Sequence, residues 1–227
     1  MSDAPLRVVV AGAAGRMGRL VVPFLAAADG VDVVGTLVRG SDASAELARA
    51  RPDVLVDFSL AAASREIAPL AAERGISPVV GTSGLSESDV AALRAACERQ
   101  GVGGLLVPNF SVGAVLQMRQ AAELARHLRL TALREVHHPG KKDSPSGTAL
   151  ATLRRIREAG GGEVTIESAR REGALAEQDV VFGGDGEELT LRHVVSDRRA
   201  YLPGVLLAVR RVRALRGLHV GLDALLA

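Results

Sequence analysis

The residues best suited to chemistry stand in one stretch, Glu135-Val136-His137-His138-Pro139-Gly140-Lys141-Lys142-Asp143-Ser144-Pro145-Ser146-Gly147-Thr148-Ala149. Ser144 is placed to cap a helix, with Pro145 at its first position. Ser146, Gly147 and Thr148 would then present backbone N–H groups at a helix start, which attracts anions. Two histidines and two lysines precede that start. Cationic side chains beside a helix N-terminus suit a substrate carrying carboxylates. A histidine can also supply a proton near neutral pH. Zinc is disfavoured, because adjacent histidines on a strand point to opposite faces and neighbouring lysines repel a cation. Composition sharpens the lysine signal. Of the 28 basic residues only Lys141 and Lys142 are lysine. A lysine offers a compact charge and a titratable proton where an arginine offers neither.

A second group of residues has the spacing of a dinucleotide site. Gly12-Ala13-Ala14-Gly15-Arg16-Met17-Gly18 follows the apolar run 6–11. Glycines at this spacing let the backbone turn tightly and approach a diphosphate at a helix start. Past the second apolar run, where an acid usually holds ribose hydroxyls, the chain has Val38-Arg39. An arginine attracts a 2′-phosphate, so NADPH is expected ahead of NADH. Gly81, Thr82 and Ser83 follow a fourth run, and Val107, Pro108, Asn109 and Phe110 a fifth. Both segments lie where ligands meet the carboxyl ends of strands. Asn109 is the only asparagine in the chain.

The elements that must position these groups alternate. Strands are predicted at 6–11, 31–38, 53–58, 77–81 and 104–107. Helices are predicted at 16–28, 61–74 and from Ser86 to about Gln100, with a polar, helix-prone link before 53. Such alternation implies a parallel sheet with right-handed crossovers. Pro23 falls inside the first helix. After Pro108 the rhythm changes. A helix is predicted at 111–128, a strand at 131–137, and a helix after Ser144-Pro145. Strand-like runs follow near 164–170, 179–182 and 188–195, then a last helix from 198 to 215. The fold class expected is α/β, a Rossmann-like parallel sheet domain, with a second α+β domain carrying an open sheet. The domains are read as 1–108, with a C-terminal helix in 199–227 returning to it, and 109–198 for substrate binding and oligomerisation.

Composition narrows the function classes. Of the 227 residues, 48% are hydrophobic and 24% charged, as in a folded, soluble protein. Aromatic residues make up 2% and the net charge is +2 without a basic tract, so stacking platforms for nucleic acid are missing. No apolar run is long enough to span a membrane. The segment Met1–Pro5 has no basic-then-apolar pattern, so no signal peptide is expected, and Cys97 stands alone, so no disulfide is either. These features point to a cytoplasmic protein.

The segments together resemble the 4-hydroxy-tetrahydrodipicolinate (dihydrodipicolinate) reductase family. The resemblance rests on V-A-G-A-A-G-R-M-G-R at 10–19, V-D-F-S at 56–59, V-G-T-S-G at 80–84, P-N-F-S-V-G at 108–113 and the stretch 135–149. It implies NAD(P)H-dependent reduction of a cyclic dicarboxylate in lysine and diaminopimelate biosynthesis, and commonly a homotetramer built through the open sheet. By position it implies His137 as proton donor or acceptor and Lys141 as a second donor. His138, Gly147 and Thr148 match substrate contacts. Gly12 to Met17, Arg39, Gly81 to Ser83 and Val107 to Phe110 match cofactor contacts. No metal is implied, and Lys142 has no assigned role. Val38 stands where the family commonly has an acid, and the stretch between Arg39 and Asp57 is short. A semialdehyde dehydrogenase of similar build would need a catalytic cysteine, and Cys97 sits mid-helix. A catalytically silent dinucleotide sensor would not need the lysine pair.

Overall fold

The computed structural model describes residues 4–226. Residues 1–3, part of the segment read for a signal peptide, and residue 227, the end of the predicted return segment, lie outside them. The chain divides into two compact units, one of residues up to Phe110 together with Tyr201 onward, the other Ser111–Ala200.

The first unit is built on a six-stranded parallel sheet in the order β10-β5-β4-β3-β1-β2. Its strands are β1 (Leu6–Ala11), β2 (Val31–Leu37), β3 (Val54–Asp57), β4 (Ser77–Val80), β5 (Gly103–Leu106) and β10 (Gly217–Val220). Every residue of β3 and β4 is buried, as in a sheet covered on both faces. The covering helices are α1 (Gly18–Ala26), α2 (Ala43–Ala50), α3 (Ala61–Glu73), α4 (Glu87–Gln100) and α7 (Leu202–Arg211).

Local sequence explains several helix ends. The polar link is α2, capped by Asp42, whose carboxylate accepts from the Ala45 N–H at 3.0 Å. At α4 the expected capping box forms. The Ser86 hydroxyl accepts from the Asp89 N–H at 3.2 Å, and the Asp89 carboxylate accepts from the Ser86 N–H at 2.9 Å. Pro23 stays within α1 because it faces solvent, where the Arg19 carbonyl it leaves without an intrahelical donor can be hydrated.

The predicted last helix needed correction. Residues 198–201 and 212–214 are 3₁₀ turns flanking α7, and the chain then adds β10 parallel to β5. The four residues of β10, which starts at Gly217 and is followed by Gly221, both at positive φ, are too few to show a period.

The second unit is a four-stranded mixed sheet in the order β7-β6-β8-β9, formed by β6 (Arg129–His137), β7 (Ile166–Arg170), β8 (Ala176–Gly184) and β9 (Glu187–Val195). β7 runs parallel to β6, and β8 and β9 follow antiparallel. Helices α5 (Val112–Leu124) and α6 (Gly147–Glu158) pack on one face. Their core joins Ala121, Leu153 and Ile156 to Leu133, Val180 and Phe182. On the other face Arg192 bridges Glu177 and Asp179 at 3.1 and 3.3 Å, beside a half-exposed Val194.

Candidate active site

In the first unit the glycine turn closes at the carboxyl end of β1, whose neighbours are β2 and β3. The chain passes from β1 to opposite sides there, which is the switch point where doubly wound sheets take ligands. Gly12 has φ +74°, and the Gly12 and Ala13 N–H groups donate to the Leu37 carbonyl at 2.9 and 3.3 Å. Gly18 lies against the Gly12 and Ala13 backbone, so a side chain there would break the turn.

Helix α1 begins at Gly18, two residues after the predicted start at Arg16, so Arg16 and Met17 belong to the turn. Among the described residues the N–H groups of Arg16, Met17 and Gly18 have no protein acceptor. A turn that leaves several N–H groups at a helix start fits the diphosphate of a dinucleotide.

At the end of β2, Val38 to Ser41 form a turn. The Val38 N–H donates to the Ser41 hydroxyl at 3.0 Å and the Ser41 N–H to the Val38 carbonyl at 3.1 Å. Arg39 is exposed in it and has no ion-pair partner among the described residues. Gly81 packs beneath Phe58 and Phe110, whose ring centroids are 5.2 Å apart. Thr82 is buried, and its hydroxyl donates to the Asp57 and Ser59 carbonyls at 3.4 and 3.1 Å. That hydroxyl donates within its own loop, while Ser83 is exposed. Val107 is buried and donates its N–H to the Val80 carbonyl at 2.8 Å, while Pro108 is exposed and Asn109 half-buried.

In the second unit His137 ends β6, paired with Ala176 of β8 and Arg170 of β7. It is 9% exposed. Burial, the largest influence, holds its pKa below the ordinary histidine value. The Lys141 and Arg170 charges act in the same sense, and Glu135 and Asp143 oppose them. His138 is half-buried in the turn that follows, where its carbonyl accepts from the Lys141 N–H at 3.1 Å.

Helix α6 is capped differently from the prediction. Ser146, not Ser144, is the N-cap, its hydroxyl accepting from the Ala149 N–H at 3.1 Å. Pro145 therefore precedes the helix. The Ser146 N–H is not open to a ligand either, since it donates to the buried Glu135 carboxylate at 2.9 Å. Lys141 Nζ lies 2.8 and 2.9 Å from the two Asp143 carboxylate oxygens. The Gly147 N–H acts on the same carboxylate. With Lys141 as the larger influence, both hold the Asp143 carboxyl below its usual range. Thr148 follows, half-buried, at the second helical position, and Lys142 is exposed.

The lysine and the helix start thus converge on a carboxylate, as the sequence suggested, and that carboxylate belongs to the chain itself. The sequence reading gave no role to Arg170, which donates to the Asp143 carbonyl at 2.6 Å, or to Glu135. Arg170 carried no local signal, being distant in sequence and brought in by the β6–β7 pairing.

Comparison with known proteins agrees with both units. Residues 6–110 match the family described as dihydrodipicolinate reductase, N-terminus, and residues 113–226 the one described as dihydrodipicolinate reductase, C-terminus. The chain belongs to the dihydrodipicolinate reductase family. A 4-hydroxy-tetrahydrodipicolinate reductase of Moorella thermoacetica is 41% identical, covering 98% of each chain. One of Symbiobacterium thermophilum is 39% identical, covering 96% of each. A solved dihydrodipicolinate reductase from Paenisporosarcina sp. TG-14 superimposes with a TM-score of 0.86 at 25% identity, covering 97% of this chain and 99% of that one. Family membership makes this chain a nicotinamide-dependent oxidoreductase of two-unit build. No helix among the described residues is long and apolar enough to cross a membrane.

Proposed function

We propose that the protein reduces 4-hydroxy-tetrahydrodipicolinate to tetrahydrodipicolinate in lysine and diaminopimelate biosynthesis, with NADPH ahead of NADH. The observation that carries this reading is the pairing of Lys141 with a carboxylate at the start of α6, beside buried His137. A carboxylate is what a dicarboxylate substrate would bring. The relatives' names give the same substrate, and the solved relative is described as bound to dipicolinate, a planar dicarboxylate.

The cofactor supplies a hydride when bound. The turn from Gly12 to Met17 would hold its diphosphate. Arg39, exposed and without an ion-pair partner among the described residues, would face a 2′-phosphate that an acid at position 38 would repel. Gly81 to Ser83 and Val107 to Phe110 would line the nicotinamide half.

His137 provides the proton. In the resting protein its burial favours the neutral ring. A substrate carboxylate on Lys141 would offset one of the two cations that depress it. The imidazole would then take up a proton as substrate binds and deliver it as the ring is reduced. Lys141 balances carboxylate charge and stabilises negative charge developing in the substrate. His138, Gly147 and Thr148 would contribute the remaining substrate contacts, and Ser146 acts through the cap it makes.

The protein is further proposed to work in the cytoplasm as a homotetramer joined through the second unit's sheet. The support is the family resemblance and the exposed apolar positions Leu189 and Val194 on edge strand β9.

The test is NADPH oxidation with freshly prepared substrate, beside a direct NADPH titration. His137→Gln should lower kcat by about 10²–10⁴ with a modest change in KM. Lys141→Ala should damage both parameters, and Lys141→Arg should not restore them, because a guanidinium is broader and keeps its proton. Cofactor affinity should survive in all three. Absence of turnover with this substrate would refute the reaction, and a fully active Lys141→Arg the role of the lysine.

A further inference from the structure

Strand β6 carries two polar side chains into the interior. Glu135 and His137 are two residues apart, so both point to the same face, the one on which Leu133 enters the core. The Glu135 side chain is fully buried and that of His137 is 11% exposed. Oε1 of Glu135 is well served. It accepts from the Ser146 N–H at 2.9 Å and from the Ser168 hydroxyl at 2.8 Å, next to the positive end of α6. Oε2 has no hydrogen-bond partner, and neither has His137 Nδ1. These two unpartnered atoms face each other at 3.7 Å. Buried polar atoms are rarely left without partners, and a carboxylate oxygen least of all. Each can satisfy the other, and an approach of under about 1 Å would complete the bond.

We propose that Glu135 is the positioning residue of His137, its Oε2 accepting from Nδ1–H so that Nε2 is the nitrogen turned to the substrate. The inference rests on the reading of His137 as the proton donor. Its physical content is twofold. The carboxylate fixes the tautomer: with the proton on Nδ1, Nε2 is the atom that gains and loses the catalytic proton. It also steadies the imidazolium once formed, opposing burial and the Lys141 and Arg170 charges, with Asp143 acting in the same sense as Glu135. Arg170 reaches this group from β7, Lys141 and Asp143 from the loop before α6, and Glu135 from the histidine's own strand. Glu135 also joins the α6 cap to β7 through Ser146 and Ser168, so the anchor of the histidine and the helix start belong to one network.

Glu135→Gln in the full-length protein separates this role from a structural one. The amide oxygen can still accept from Ser146 and Ser168, but an –NH₂ group cannot accept from Nδ1–H. We expect kcat to fall by about 10- to 100-fold, by analogy with the loss of the hydrogen-bonding partner that orients a metal-binding histidine. KM and the NADPH Kd should stay near their parent values. The alkaline limb of the kcat/KM profile should move to lower pH, because an anion that favours the protonated ring is gone. Arg170→Gln should move that limb the other way. An unmoved limb with parental kcat in Glu135→Gln overturns the inference. The second measurement needs no variant. Imidazole ¹⁵N shifts of the parent protein should report the neutral His137 ring protonated on Nδ1, and a ring protonated on Nε2 overturns the proposal. A His137→Gln enzyme of full activity would instead remove the underlying role of the histidine, leaving the ¹⁵N result to decide the pairing itself.

Discussion

On the proposed reading, Asp143 stands where a substrate carboxylate would bind, which makes it an internal competitor. Its two carboxylate oxygens both take the Lys141 ammonium, at 2.8 and 2.9 Å. A dicarboxylate ligand must displace it from the lysine. The pair is partly open, with side-chain exposures of 23% for Lys141 and 56% for Asp143. Pairs of this kind contribute about 0.2–1 kcal/mol after screening. With tenfold in affinity per about 1.4 kcal/mol, releasing the lysine should tighten a dicarboxylate by roughly 1.5- to 5-fold. Removing a like charge beside the ligand acts in the same direction. Asp143→Asn is the suitable perturbation, since the amide keeps the loop's shape and one acceptor. The assay is competitive inhibition by pyridine-2,6-dicarboxylate, supported by calorimetric titration. Protonation cannot do the same work in the parent protein near neutral pH, because Lys141 and the Gly147 N–H hold the carboxyl below its usual range. Weaker inhibition of Asp143→Asn would refute the reasoning, and would mean that the aspartate presents the lysine to the ligand instead of occupying it.

Val38→Glu should shift the ratio of kcat/KM values toward NADH, since an acid beside Arg39 repels a 2′-phosphate; parallel kinetics with both cofactors check this, and a parent enzyme that already favours NADH would contradict it. Gly18→Ala should abolish NADPH binding measured by fluorescence titration, because its Cβ would meet the Ala13 backbone. His137 and His193 both have pKa values depressed chiefly by burial. The unfolded chain therefore binds their protons more tightly, so their contribution to stability is present above roughly pH 6.5 and is lost as pH falls toward the folded values. Urea midpoints should drop across that window, and His193→Gln, which removes the ring 3.1 Å from the Ser111 hydroxyl, should flatten the drop.

The parallel sheet was legible because strands buried on both faces read as unbroken apolar runs, as Val8–Ala11 and Val54–Val56 do. Helix α4 was legible to its cap because Ser86 and Asp89 state both halves of a reciprocal pair. Where two serines competed to cap α6, sequence could not choose. The choice depends on Glu135, eleven residues earlier, accepting from the Ser146 N–H across a turn. The proposed anion site was suggested by Lys141 and the helix start, but its internal occupant was not. Asp143 lies between them in the motif, yet only the folded loop shows its carboxylate turned back on both. Thr82 was ambiguous for a similar reason: a hydroxyl at the end of a strand can face a ligand or its own backbone, and only the fold shows that it donates to the Asp57 and Ser59 carbonyls.

The pairing of β10 with β5 bears on how the chain matures during synthesis. β5 is complete once residue 106 has emerged, but its outer neighbour is residues 217–220. Throughout translation of the second unit, β5 therefore presents an open row of backbone donors and acceptors, the kind of edge that recruits foreign strands. The second unit's strands pair only with one another, so it can collapse while still tethered to the ribosome. The nucleotide-binding sheet, though begun first, is finished last, and a nascent chain halted anywhere between the two units' final strands would carry a folded second unit beside an unsealed sheet edge.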